Sequence, residues 1–97
     1  MARKTILFDS AVHLDSDEAI GAYLEEAMET NDAAFVAYAL GQVARARGMT
    51  EIAKDAGLSR ESLYKALSAD GNPEFSTVLK VIGALGFKLS VAPSASH

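Results

Sequence analysis

The sequence predicts an all-α domain of five helices with a short C-terminal strand, two of the helices forming a helix-turn-helix. Three observations support this. Apolar residues recur at helical spacing in segments separated by Gly, Asn or Pro. Residues 52–67 read as two short helices around a tight turn: Gly57 can take the positive φ that ends the first, and Ser59 can cap the second by accepting from the Ser62 amide. Finally, 97 residues of which 49% are apolar can fill one core, while no apolar run reaches the roughly 18–20 residues of a membrane span.

The elements follow in order, within one domain over residues 1–97. Residues 1–14 read as an N-terminal arm, in which 5–8 is either a short strand or an extended segment. Asp15 and Glu18 stand at capping-box spacing and open a helix through about Glu29, whose apolar stripe is Ile20, Tyr23, Leu24, Ala27 and Met28. A second helix starts at Asn31 or Asp32, turns Phe35, Val36, Ala39, Leu40 and Val43 inward, and ends at Gly48. Arg45 and Arg47 in its last turn suit the negative end of the helix dipole.

Helices then cover Met49–Ala56 and Arg60–Ala69. Ile52, Ala56, Leu58, Leu63 and Ala66 form their seam, and Ala53 is small enough for a close crossing. Asn72 as cap and Pro73 at the first helical position predict the start of a fifth helix, which buries Phe75, Val78, Leu79, Ile82 and Leu85 and stops at Gly86. Residues 87–91 alternate apolar and polar, which is strand-like, and 94–97 form a frayed tail. A lone strand leaves its backbone groups unpaired, so it pairs with the arm or with its counterpart in a second copy. The second option predicts a two-fold homodimer through Phe87, Leu89 and Val91. The alternative is that these side chains cover the domain's own core.

Charge is unevenly spread. The chain carries −4 overall, with eight acids and no base from Asp9 to Asp32. From Val43 to Ala66, five bases face three acids, a balance of +2. An N-terminal apolar run too short for a secretory signal, and the lack of cysteine, lead us to expect a cytoplasmic protein without a membrane segment. No enzymatic activity, cofactor or metal is expected. His13 and His97 are isolated, no cluster has metal-ligand spacing, and the seven glycines form no phosphate loop.

The outer side of the fourth helix presents Ser59, Arg60, Glu61, Tyr64, Lys65 and Ser68, all capable of hydrogen bonding. That composition suits a helix lying in the major groove of double-stranded DNA. Arg60 and Lys65 are the strongest candidates for base or phosphate contact; a bidentate Arg on guanine is worth about 1–3 kcal/mol of discrimination. Glu61 is tolerable there if it accepts from cytosine N4 or pairs with Arg60 or Lys65. Tyr64 either meets sugar and phosphate or packs toward Phe75. Ser59 serves as cap and as phosphate donor.

The block Gly57-Leu58-Ser59-Arg60-Glu61-Ser62-Leu63-Tyr64-Lys65-Ala66-Leu67-Ser68 is followed by Gly71-Asn72-Pro73. Together with Phe8-Asp9, Tyr23-Leu24, Ala39-Leu40, Arg45-Ala46-Arg47-Gly48-Met49 and Ala84-Leu85-Gly86, it resembles the addiction module antidote proteins over about residues 8–93. These are small bacterial antitoxins of the Xre/Cro helix-turn-helix class, with a lambda-repressor-like fold and an architecture similar to HigA-type antitoxins. The resemblance implies a toxin partner of the RelE/ParE-like superfamily and an operator bound to repress the antitoxin's own operon, with Ser62 among the DNA-facing residues. Only Met49, Thr50 and Glu51 separate Gly48 from Ile52 and the usual Gln early in the second helix is absent, so Thr50 would have to serve as the phosphate-anchoring donor. Toxins of that superfamily tend to be basic, which makes Glu25, Glu26 and Glu29 candidates for toxin binding; a solvated acidic face is the bland alternative. Two other functional classes fit the same features: a free-standing transcriptional regulator without a toxin, and a protein-interaction module that never meets DNA.

Overall fold

The computed structural model describes residues 14–68 and 70–94. It forms five helices: α1 (Asp17–Glu29), α2 (Ala33–Arg47), α3 (Met49–Ala56), α4 (Arg60–Ala66) and α5 (Phe75–Ala84). The cap of α1 is Ser16 and not Asp15: Ser16 takes the extended conformation, and its hydroxyl accepts from the Ala19 amide at 3.1 Å. Asp17 and Glu18 then occupy the first turn, where negative charge meets the positive end of the dipole. Asp32 caps α2, its carboxylate accepting from Ala34 at 3.0 Å and Phe35 at 3.3 Å.

Between α3 and α4 the chain turns through Gly57, at φ 74 and ψ 30. A side chain there would be strained, and glycine relieves that strain. The Gly57 amide donates to the Lys54 carbonyl at 3.1 Å and the Leu58 amide to the Ala53 carbonyl at 2.8 Å, satisfying carbonyls that the helix end would orphan. The fourth helix ends at Ala66, earlier than expected; Ser68 and Gly71 donate back to the Lys65 and Ser68 carbonyls and turn the chain away. The fifth helix starts later than Asn72-Pro73 suggests. Its N-cap is Glu74, which makes no side-chain capping bond, and Asn72 and Pro73 lie in the irregular segment before it.

In the packing, α2 is central, lying against α1, α3 and α5, while α3 also holds α4 and α5. Ile20, Leu40, Val43, Leu63, Leu67 and Val81 are the largest fully buried side chains, so every layer of the core draws on several helices. The inward stripe of α5 differs from expectation. Val81, Ile82 and Leu85 are buried and Val78 packs against them, but Phe75 and Leu79 point outward at 66% and 44% exposure. Burial raises the Tyr23 phenol above its ordinary value, and neighbouring Tyr38 adds to the shift. No helix among the described residues is long and apolar enough to cross a membrane.

The short strand expected over residues 87–91 is not formed, and no described residue is in a strand. The Phe87 amide donates to the Ile82 carbonyl at 3.0 Å, which folds the chain back after α5. Its ring then covers Gly21 of α1, where an added Cβ would lie 3.3 Å from the ring edge. Phe87 thereby joins the core of its own chain, while Leu89 and Val91 stay exposed. An alternating segment becomes a strand only with a ladder partner, and Phe87 has turned away from such a register. The other candidate partner, residues 5–8, lies outside the described residues.

Candidate nucleic-acid interface

The fourth helix has seven residues, too few to persist alone in water. Two anchors hold it: Leu63 at 0% and Leu67 at 1% exposure, both in the common core. With Leu63 inward, Arg60, Glu61, Ser62, Tyr64 and Lys65 are all exposed on the remaining circumference. Ser59 performs its capping role, accepting from the Ser62 amide at 3.0 Å. Ser68 is half-buried and donates its hydroxyl to the Lys65 carbonyl at 3.0 Å, which ties it to the helix end. Thr50 is exposed in the first turn of α3.

Among the described residues the ion pair is Arg47 with Asp17, joining the last turn of α2 to the first of α1. The pairing of Glu61 with Arg60 or Lys65 is not formed. Two cations and one carboxylate therefore stand on the outer face of α4 without a charged partner.

Tyr64 does not pack toward Phe75. The Arg60 guanidinium carbon lies 5.4 Å from its ring centre, and Arg60 Nη2 donates to the phenol oxygen at 3.4 Å. A second guanidinium, that of Arg45, lies 5.6 Å from the same centre. Arg45 comes from α2, outside the helical pair, and its Nη1 donates to Gln42 Oε1 at 3.1 Å. Sequence reasoning gave Arg45 only a dipole role. The available signal was Gly41, four residues earlier and so on the same helix face, which lets α2 approach the backbone just past α4: a Cβ there would sit 2.8 Å from the Leu67 carbonyl oxygen.

The remaining candidates lie elsewhere. Glu25 and Glu29 are exposed and Glu26 half-buried on α1, which packs on α2. Phe87, Leu89 and Val91 follow α5, with only the last two free of the core.

A family model described as "probable addiction module antidote protein" matches residues 4–93. A Haemophilus influenzae protein (strain ATCC 51907 / DSM 11121 / KW20 / Rd), described as "uncharacterized protein", is 52% identical over 87 residues, covering 90% of each chain. No solved structure matches the chain.

Proposed function

The chain belongs to the family of probable addiction module antidote proteins, and we propose that it is the antitoxin of a type II module, neutralising a RelE/ParE-like toxin and repressing its own operon. On this reading α3, the Gly57 turn and α4 are an Xre-class helix-turn-helix, and α4 enters the major groove of operator DNA. The observation that carries it is the two-sidedness of α4: Leu63 is wholly buried while Arg60, Tyr64 and Lys65 stand exposed and, among the described residues, free of carboxylates. Arg60 and Glu61 meet base edges, and Lys65, Ser59, Ser62, Ser68 and Thr50 meet phosphates. Two copies related by a two-fold axis double a modest positive surface and match two half-sites.

Antidote membership implies a toxin partner. The acidic face of α1 with Glu25, Glu26 and Glu29 supplies the complementary charge for a basic one. Reversing these three charges should abolish co-purification with the toxin encoded beside the gene; unchanged toxin affinity removes this surface from the reading.

A mobility-shift titration on the DNA upstream of the protein's own gene, over a salt series, tests DNA recognition. A specific complex is expected whose log K falls steeply with log salt, and Arg60→Ala should weaken it and relax one base position. Absence of any complex at low salt would leave a protein-interaction module. A DNA-binding protein with no toxin frame beside its gene would be a free-standing regulator.

A further inference from the structure

We infer that Arg45, at the end of α2, is a phosphate contact of the same DNA-binding face, set in place by the Tyr64 ring and Gln42. This rests on the DNA reading above and extends it beyond the helical pair. The contrast with Arg47 is informative. Two residues apart on one helix, these side chains point about 200° apart. Arg47 turns to α1 and is taken up by Asp17, whereas Arg45 turns to α4 and meets no carboxylate among the described residues. It meets instead a side-chain amide oxygen at 3.1 Å and an aromatic ring, which hold a guanidinium without neutralising it.

Tyr64 thus has two guanidinium groups against one ring. Laid end to end, the two centroid distances of 5.6 and 5.4 Å limit the separation of Arg45 Cζ and Arg60 Cζ to about 11 Å. That limit lies within the width of the major groove, about 12 Å, so one groove can take both groups. With α4 in the groove and Arg60 toward the bases, a cation on the flanking helix no farther away than this can reach the phosphates of the groove wall. Tyr64 is then a positioning residue: it reduces the freedom two long side chains would otherwise lose on binding.

The test measures binding of a labelled duplex of arbitrary sequence, and of the upstream DNA, between about 50 and 200 mM salt. Arg45→Gln should weaken both by the same factor and reduce the slope of log K against log salt by about 0.9 per bound protomer. In a Tyr64→Leu background Arg45→Gln should cost less than in the parent. Urea midpoints of the variants, measured in parallel, report folding. An unchanged slope for Arg45→Gln, or a lowered midpoint as its main effect, overturns the inference and leaves Arg45 as a strut between α2 and α4. Full cost of Arg45→Gln in the Tyr64→Leu background overturns the positioning role. If the parent protein binds neither DNA, the wider reading falls and this inference with it.

Discussion

Replacing glycine by alanine should have opposite effects at two positions of this chain, and the difference measures how closely α2 meets α4. Alanine in a helix interior gains about 0.5–1 kcal/mol over glycine through the smaller backbone entropy lost on folding. At Gly83 of α5 an added Cβ meets nothing within 4 Å, so that gain is realised, toward the lower end because Gly83 lies in the last turn. At Gly41 of α2 the same carbon would sit 2.8 Å from the Leu67 carbonyl oxygen and 3.4 Å from Leu67 Cβ. That oxygen is backbone at the end of α4 and cannot rotate aside, so the helices must part. Overpacking of this kind costs about 1–3 kcal/mol and outweighs the propensity gain, leaving a net loss of up to about 2 kcal/mol. With a urea dependence of roughly 1–3 kcal/mol per molar, the Gly41→Ala midpoint should fall by some tenths of a molar to about 2 M, and the Gly83→Ala midpoint should rise by some tenths. A Gly41→Ala midpoint at or above that of the parent would refute the close approach, and with it the geometry that brings Arg45 to Tyr64.

Leu63→Ala removes the main anchor of α4, fully buried in the core, and should cost about 2–5 kcal/mol, a large part of the roughly 5–15 kcal/mol that hold a domain folded. A loss under about 1 kcal/mol in urea unfolding would mean that α4 does not rest in the core as described. The raised Tyr23 phenol gives a pH dependence: the folded protein keeps a proton that the unfolded chain releases, so the contribution is intact below about pH 10 and is lost as pH climbs toward the folded value. Tyr23→Phe should flatten part of that alkaline decline, and an equal decline in both proteins between about pH 8 and pH 11 would count against it. Glu61→Gln separates two roles on the proposed DNA face: tighter binding to every sequence marks a carboxylate repelled by phosphate, whereas relaxed preference at one position marks a reader of cytosine.

Much of the fold could be read directly. The third helix runs between Gly48 and Gly57 as read, because glycine at both ends punctuates it locally. Asp32 and Ser59 were identifiable as caps because the capping bond reaches only two or three residues ahead. The α1 cap, expected at Asp15 and found one residue on at Ser16, is a local miss; the other failures share a non-local cause. On α5, Phe75, Val78, Leu79 and Ile82 make a helical stripe, but so do Val78, Val81, Ile82 and Leu85. Contact with α3 and α2 selects the second, and spacing alone cannot. Asn72-Pro73 has the chemistry of a helix start, yet those residues stay in an irregular segment and α5 begins only at Phe75. Residues 87–91 alternate like a strand, but Phe87 finds its burial over Gly21 of α1. At the candidate site, the outer residues of α4 were legible from period alone. Arg45 was not, because its place depends on the backbone at Leu67, just past α4, meeting α2 at Gly41.

The charge distribution yields one more number that tests the arrangement. If all five bases between Val43 and Ala66 engaged phosphate, the salt slope would be about 4.5 per protomer, and affinity would drop roughly 500-fold between 50 and 200 mM salt. The structure divides those bases. Arg47 is bound to Asp17, and Lys54 sits on α3 outside the group around Tyr64. On the proposed reading Arg60 faces the bases, so Arg45 and Lys65 remain for phosphate, which sets the slope near 1.8 and the drop near 12-fold per protomer. Removing the tie by Asp17→Asn frees the Arg47 guanidinium, so the slope should rise toward about 2.7 if that arginine can swing to the DNA. It should stay near 1.8 if α1 holds it on the far side of α2. The second result is expected, since the direction of the Arg47 side chain is set by its place on the helix and not by the carboxylate it meets.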